Sequence, residues 1–302
     1  MDDLPSDPPV ERKYTLDKLE PLYAHYTSAQ VAFDHVLPES RIRLSPYRRM
    51  RDPAENKDIV PGTGGYGVDA DTFDESFRAM LGEIKARRDR CRVLSLTHND
   101  ASARATFGCC WARPRMWEQY ADEHRGVCLL FDAEHLTRSM QVALRALQIQ
   151  SWFKEVAYTE AGIAGSTVRF LSDPRIFDAG QRADAVTEFI ERNADDFFLL
   201  KTDDFKTEHE YRIVIMAGDE SVAPAPGSPV SFEGEFAYVE YGDALVAVVV
   251  GERFPNWQLL GASRASERAN ALLGKVGWEH RRPIAFPPIL DHRADGTPIL
   301  PV

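Results

Sequence analysis

Strand patterns lie near both ends of this 302-residue chain, while helical patterns dominate its middle. Alternating or apolar runs predict strands, of which the clearest are 23–28, 41–46, 91–98, 127–131, 155–159, 208–216, 235–242 and 244–251. Helical spacing predicts helices over 29–37, 71–90, 114–124, 133–147, 182–200 and 263–278. Strands this far apart in sequence must pair with one another to bury their apolar faces. We therefore predict an α+β fold with a split mixed β-sheet that is formed by distant segments and flanked by helices.

The N-terminal segment differs in composition from the rest of the chain. Residues 1–14 are acidic and rich in proline, which predicts a flexible arm. The remaining residues, 15–302, suit a single large domain, and we predict a helical insertion around 133–200 within it.

The charge balance limits the classes of partner. The 47 acidic residues exceed the 36 basic ones, so the net charge is -11. This charge argues against broad nonspecific binding to nucleic acid or to an anionic membrane. The N-terminus has no apolar core typical of a secretion signal, and no run approaches the length of a membrane helix. The four cysteines have no zinc-finger spacing, which predicts buried free thiols and a cytoplasmic protein.

The segment "EHEYRIVIM" carries the strongest local signal for a site. Alternation along a strand places Glu208, Glu210 and Arg212 on one face. Such a triplet can hold one carboxylate ionised while its neighbours orient it. The same pattern is also typical of an exposed edge strand that carries a salt bridge, and this alternative stays open.

Three further segments contain candidate binding residues. "LYAHYTS" gathers His25, Tyr26 and Thr27 at the start of the first strand, where they could form one wall of a ligand cleft. Arg43 lies on the second predicted strand, where a guanidinium could bind a phosphate in a bidentate manner. Tyr120 follows Trp117 at helical spacing, so its ring could stack on a flat ligand or belong to the core.

The order of the motifs resembles a known bacterial family. The segments "LYAHYTS", "RIRLSPYRRMRDPAE", "VLSLTHND", "RMWEQYADEHRGVCLLFD", "EVAYT", "LLKTDDFKTEHEYRIV" and "ALVAVVVGE" are similar to the domain of unknown function (DUF) 2971 family over about residues 22–280. One departure is Phe205, at a position where the family pattern has tryptophan. This resemblance implies a fold family and no particular reaction.

A second resemblance is to ADP-ribosyltransferases of the H-Y-E type, including DarT-like members. His25, Tyr120 and Glu210 occur in the order of that motif, and "HYTS…VLPESRIRLS" is similar to the start of the DarT-like proteins. Tyr120 departs from the pattern because it lies on a predicted helix. The resemblance implies an ADP-ribosyltransferase-like fold that binds NAD, and a reaction at the nicotinamide–ribose bond that requires no metal.

That resemblance also implies roles for the candidate residues. The implied catalytic residues are Glu210, which stabilises the positive charge on the ribose, Glu208, which orients the acceptor, and His25, which holds a ribose. The implied NAD-binding residues are His25, Tyr26, Thr27, Arg43, Tyr120 and Arg212, the last of which keeps Glu210 ionised.

We therefore expect an NAD-binding ADP-ribosyltransferase or NAD glycohydrolase, of the kind used as a bacterial defence or toxin effector. The acceptor, protein or nucleic acid, and the oligomeric state stay open. Two alternatives also stay open. One is a non-catalytic module that senses a ligand or partner. The other is a metal-dependent phosphodiesterase in which Glu55, Glu208 and Glu210 hold the ion.

Overall fold

The computed structural model describes most of the chain from the first strand to residue 254. The described residues are 21–50, 52, 55, 75–103, 108–160, 175, 178–217 and 227–254, with three short pairs at 284–285, 291–292 and 298–299. The predicted arm at 1–14 and the predicted helix at 263–278 lie outside the described residues.

Strands and helices alternate along the described part of the chain. The strands are β1 (Leu22–Thr27), β2 (Arg41–Pro46), β3 (Cys91–His98), β4 (Val127–Asp132), β5 (Gln150–Glu155), β6 (Ala157–Thr159), β7 (Leu200–Thr202), β8 (Glu210–Met216), β9 (Val230–Glu233), β10 (Phe236–Glu240), β11 (Leu245–Val250), β12 (Ile284–Ala285), β13 (Asp291–His292) and β14 (Pro298–Ile299). The helices are α1 (Ala29–Val31), α2 (Leu37–Glu39), α3 (Glu75–Asp89), α4 (Pro114–Tyr120), α5 (Ala133–Ala146), α6 (Arg182–Arg192) and α7 (Ala194–Phe198). A π-helical stretch, Ala32–Val36, joins α1 to α2.

The main sheet forks at β3. Strand β8 pairs with one edge of β3 along its length, from Cys91 to Thr97. Strands β1 and β2 must therefore share the other edge: β1 pairs with Thr97 and His98 at one end, and β2 with Arg92 and Val93 at the other. Between these two pairings, residues 94–96 face no strand on that edge. The predicted split α+β sheet of distant segments is confirmed.

Two branches extend from the fork. One continues from β1 through β4 and β11 to β12, and the other from β2 through β10 to β9. On the far edge of β3, β8 is followed by β5. The pairings in this sheet are antiparallel except for that between β11 and β12. Segment 133–200 contributes β5 to this sheet, in addition to α5, α6 and α7.

Three apolar clusters cover the sheet. On one face, α5 packs with Leu94, Leu96 and Ile213. The opposite face carries two clusters, one under α3, α6 and α7 and one beside α4. Between these two clusters lie the charged side chains of β8. The four cysteines are buried and free, as expected. No helix among the described residues has the length and apolarity needed to cross a bilayer.

Some predicted boundaries are wrong. The helix predicted over 182–200 is two helices, because Asn193 has non-helical dihedral angles (φ -117°, ψ 26°), and both its backbone N–H and its side chain donate to the carbonyl of Phe189. The helix predicted over 114–124 ends at Tyr120, since the next turn has three consecutive residues with positive φ, 122–124. Strand β5 was not predicted, because Trp152 and Phe153 pack on opposite faces and leave no alternating pattern.

Gly126 lies beside this turn, where its backbone passes close to the backbones of Thr27 and Ala121. A Cβ atom at this position would overlap the backbone carbonyl oxygen of Thr27, and would also lie 2.8 Å from the carbonyl oxygen of Ala121. Both neighbours are backbone atoms of buried segments, so they cannot move aside without disturbing the pairing of β1 with β4.

We predict that Gly126→Ala lowers the free energy of unfolding by about 1–3 kcal/mol, because the added methyl group forces the backbone to shift. Gly82→Ala is the matched control, since a Cβ atom there meets nothing within 4 Å and alanine favours the helix α3. Urea unfolding of both variants measures the effect. Equal midpoints for the two variants would contradict the close approach of the backbones at Gly126.

Candidate functional site

A cavity of about 360 Å³ opens at the unpaired edge of β3. This volume lies in the range of ligand pockets. Its wall includes residues 93–97 of β3 and side chains from segments nearly two hundred residues apart. Of the residues that the sequence singled out, the cavity is lined by His25, Tyr26, Arg43, Glu55, Tyr120, Glu208, Glu210 and Arg212.

His25 reaches the cavity because the sheet is open here. Ala24 pairs with Thr97, whose neighbour across β8 is Glu210, so strict alternation would put His25 and Glu210 on opposite faces. At the open edge, the His25 ring instead lies 3.3 Å from the carbonyl oxygen of Ser95, measured from Nδ1. The Ser95 hydroxyl in turn donates to Glu210. His25 and Glu210 therefore contact the same residue.

The protonation of His25 follows from its surroundings. Burial, with a smaller contribution from Arg43, lowers the pKa of His25 to about 4, so the ring is neutral near neutral pH. A carbonyl oxygen can only accept a hydrogen bond, so the single ring proton must be on Nδ1. Nε2 is then an acceptor, suited to a hydroxyl donor of a ligand.

Glu210 belongs to a buried ion network. Arg212 donates to it twice, from Nε to Oε1 at 2.7 Å and from Nη2 to Oε2 at 3.0 Å. Lys201 Nζ lies 3.1 Å from Oε2. Burial alone would raise the pKa of Glu210, but the two cations lower it from 4.5 to about 2. The carboxylate is therefore ionised over the whole physiological range.

Glu208 lies beside Glu210 but outside the strand. It ends a 3-10 helix, Asp203–Glu208, and His209 follows with a left-handed backbone (φ 44°). The predicted placement of Glu208 on the strand face is therefore wrong, although its side chain still enters the cavity. Lys201 Nζ donates to Oε2 at 2.7 Å, and the Tyr120 hydroxyl donates to Oε1 at 3.2 Å.

These charged groups are buried, which contradicts the exposed-edge interpretation of "EHEYRIVIM". Glu208 is 2% exposed, Glu210 is 5% exposed and Arg212 is 0% exposed. Strand β8 pairs on both sides, with β3 and β5. The strand is internal, so its charges must be compensated by one another.

Glu55 adds a third buried carboxylate. It is 1% exposed and in ion-pair contact with Nη1 of Arg212. Burial raises the pKa of Glu55, and Arg212 opposes this effect only in part. The backbone carbonyl of Glu55 accepts from Arg88, which fixes the residue against the sheet.

Arg43 occupies the rim of the cavity. Its side chain is exposed, and its guanidinium carbon lies 4.6 Å from the centre of the Phe236 ring. Within the described ranges of the chain, Arg43 forms no ion pair with a carboxylate. The Phe236 ring holds the guanidinium in place, and the N–H donors of Arg43 stay available to an anion.

Two predicted binding residues do not direct their hydroxyl groups to the cavity. The Tyr26 hydroxyl donates to the carbonyl of Cys110 at 2.6 Å, and its ring packs edge-on against Trp117, so its hydroxyl serves the core. Thr27 does not line the cavity, because it pairs with Val127 at the far end of β1. The structure therefore places Thr27 outside the lining of this cavity.

Arg212 lines the cavity from below. Its donors are committed to Glu210 and to the carbonyl of Phe198, which accepts from Nη1 at 2.6 Å, and Nη1 also contacts Glu55. The predicted support of Glu210 by Arg212 agrees with this arrangement. A direct contact between this guanidinium and a phosphate is not supported, since four of its five N–H donors are committed and the side chain is fully buried.

Lys201 and Ser95 are site residues that sequence reasoning missed. Lys201 neutralises both Glu208 and Glu210, and burial alone would lower its pKa whereas these carboxylates raise it. The lysine lies in the segment "LLKTDDFKTEHEYRIV" that carries the family resemblance, which was a signal for its role. Ser95 lies in an ordinary strand sequence, and its position at the fork cannot be inferred from "CRVLSLTH".

The arrangement of the carboxylates does not suit a metal ion. Lys201 and Arg212 lie between Glu55, Glu208 and Glu210, so the three carboxylates do not converge on one point. Among the residues that the structure describes, no group of three potential ligand side chains could hold an ion.

We predict that Glu210→Gln lowers the free energy of unfolding by about 3–5 kcal/mol near neutral pH, because Arg212 and Lys201 lose their shared counter-charge in a buried position. The folded-state pKa of Glu210 lies below the ordinary value of 4.5, so its stabilisation is complete above that pH and is lost as the pH falls through about 2. Urea unfolding at a series of pH values should show the difference between variant and wild type shrinking in acid.

The matched control is Glu134→Gln, which removes an exposed carboxylate on α5. We expect a change of at most about 1 kcal/mol in this control. If Glu210→Gln were as stable as this control, the buried charges of Arg212 and Lys201 would not depend on Glu210 for their compensation.

Comparison with known proteins places this site partly within a known family. No curated protein and no solved structure shows significant similarity to the chain. Residues 116–213 match the model of a family described as protein of unknown function, DUF2971. The matched segment contains Tyr120, Lys201, Glu208, Glu210 and Arg212, whereas His25, Arg43 and Glu55 lie before it. The match confirms the predicted resemblance to this family over residues 116–213.

Proposed function

We propose that this protein binds NAD and cleaves its nicotinamide–ribose bond, as an ADP-ribosyltransferase or an NAD glycohydrolase. The observation that carries the proposal is the contact of neutral His25 and ionised Glu210 with the same residue, Ser95, in one cavity. A hydroxyl acceptor and a fixed negative charge are thereby held together at the open edge of β3.

The polarity of the cavity complements NAD. Its floor carries the carboxylates Glu55, Glu208 and Glu210 against two cations, and its rim carries the exposed Arg43. NAD has a positively charged nicotinamide ring at one end and a negatively charged pyrophosphate in the middle. The pyridinium would enter towards the carboxylates, and the pyrophosphate would lie at Arg43.

Glu210 is suited to the transition state of this reaction. As the bond to nicotinamide breaks, positive charge develops on the ribose, and a permanently ionised carboxylate in a buried site stabilises that charge. Arg212 and Lys201 keep Glu210 ionised and fix its direction. His25 Nε2 would accept a hydrogen bond from a ribose hydroxyl, and the Tyr120 ring would lie against the nicotinamide.

The proposal also concerns context. A protein that consumes NAD would act in the cytoplasm, where NAD is present, and depletion of NAD or modification of an acceptor would suit a bacterial defence or toxin effector. A non-catalytic module that only binds a nucleotide in the same cavity is the second candidate, because a cavity shows where a ligand fits and not whether it reacts.

Release of nicotinamide tests the proposal. The purified protein is incubated with NAD, and free nicotinamide is quantified by chromatography. We expect release above the buffer background, and a loss of about 100-fold in Glu208→Gln, His25→Ala and Glu210→Gln. Glu134→Gln is the matched control outside the cavity and should keep wild-type activity.

The same samples distinguish the two candidates. Folding of each variant is checked by circular dichroism, so that loss of stability in Glu210→Gln is not taken for loss of chemistry. Background release by wild type rejects the proposed reaction. Calorimetric binding of NAD without release would instead favour the ligand-binding module.

A further prediction concerns Arg43. Because its guanidinium is exposed and contacts no carboxylate among the described residues, Arg43→Ala should raise KM for NAD about tenfold, with a smaller effect on kcat, since the pyrophosphate does not change charge during cleavage. Arg138→Ala, on the exposed face of α5, is the control. An unchanged KM would remove Arg43 from the binding site.

A further inference from the structure

We propose that Glu55 is the general base of this site, which accepts the proton of the water or acceptor that attacks the ribose. This inference rests on the proposed function and assigns a catalytic role to a residue that lies outside the matched family segment. Glu210 would then stabilise the charge on the ribose, Glu208 would orient the acceptor, and Glu55 would accept the proton.

Position is the first argument. Glu55 lines the same cavity as Glu210, and the two carboxylates flank one guanidinium. Arg212 contacts Glu55 through Nη1, while its Nε and Nη2 donate to Glu210. The two carboxylates are therefore held within the span of a single guanidinium, as a base and a charge-stabilising group around one reacting carbon would need to be.

Hydrogen bonding is the second argument. Oε1 of Glu55 contacts Nη1 of Arg212, whereas Oε2 is buried and accepts no hydrogen bond in the described part of the chain. Glu210 and Glu208, in contrast, each use both oxygens on donors of the protein. A buried carboxylate oxygen that no protein donor occupies has acceptor capacity left for a water molecule or a ligand hydroxyl.

Basicity supports the same assignment. Burial raises the pKa of Glu55, whereas the neighbouring cations lower that of Glu210 to about 2. A carboxylate with a raised pKa takes up a proton more readily near neutral pH, and one with a lowered pKa keeps its charge. Glu55 is thus the better base, and Glu210 the better permanent charge.

The step balances in atoms and charge. The oxygen of water forms a bond to the ribose carbon as the bond from that carbon to nicotinamide breaks. The electron pair of the broken bond goes to the pyridinium nitrogen, so nicotinamide leaves neutral. One proton of the water passes to the carboxylate of Glu55 and from there to solvent, and ADP-ribose remains. With another acceptor hydroxyl, the same proton transfer gives transfer instead of hydrolysis.

Chemical rescue by azide tests the assignment. Azide is an anionic nucleophile, so its attack requires no base. We expect Glu55→Gln to release nicotinamide about 100-fold more slowly than wild type in buffer, and azide to restore much of this release. Azide should not rescue Glu210→Gln, whose defect lies in stabilising the ribose cation. Calorimetry should show that Glu55→Gln still binds NAD.

The outcomes separate this inference from the proposed function. If wild type releases nicotinamide and Glu55→Gln does so equally fast, or if azide fails to rescue the variant, Glu55 is not the base and the proposed function stands. If wild type releases none, the proposed function fails and the role of Glu55 with it.

A measurement on wild type covers the case in which Glu55→Gln does not fold. Hydrolysis should rise with pH on an acidic limb that lies above 4.5, the ordinary pKa of a glutamate side chain. A profile that is flat above that value overturns the assignment.

Discussion

The buried guanidinium of Arg212 is the constraint on which the rest of the site depends. It is fully excluded from solvent, so its charge must be balanced within the protein. Glu210 on the same strand, Glu55 from the loop after β2 and the carbonyl at the end of α7 supply that balance together. These groups come from three regions of the chain, and each must be in place for the charge to be tolerated. The fold and the cavity are therefore stabilised by the same contacts.

The sequence predicted the class of fold well because its signals are local. Alternation in "RIRLSP" and the apolar run "ALVAVVVG" correspond to β2 and β11, and the helical spacing after residue 71 corresponds to α3 over the described residues 75–89. Boundaries failed where a single side chain or a tight turn decided them, as at Asn193. The pairing of two strands with one edge of β3 is a long-range property, so no local pattern could reveal the gap at Ser95.

For the site, sequence order identified side chains but not their environments. His25, Arg43, Tyr120, Glu208 and Glu210 do meet in one cavity. Sequence order could not show that Thr27 pairs at the far end of β1, or that Arg212 is also held by Glu55 and the carbonyl of Phe198. Lys201 shows the converse: a lysine in a short strand looks like a surface residue until two distant carboxylates are known to surround it.

The charged groups of the cavity lie at two depths: the ion network at the floor, and Arg43 at the rim. Its floor is held by protein donors, whereas Arg43 at the rim contacts the ring of Phe236 and forms no ion pair with a described carboxylate. This difference in charge between floor and rim would orient a ligand that carries separate positive and negative groups. It would therefore contribute to specificity more than to the strength of binding.

The gap in the sheet has a further consequence for the energetics of the whole molecule. Three backbone positions of β3 lack a described strand partner on one edge. The five buried charged side chains Glu55, Lys201, Glu208, Glu210 and Arg212 occupy space beside it that apolar packing could have filled. Well-packed hydrophobic residues in their place would leave the fold at least as stable. The region around Ser95 is thus a part of the described protein where apolar replacements should raise thermal resistance, at the expense of the proposed ligand site.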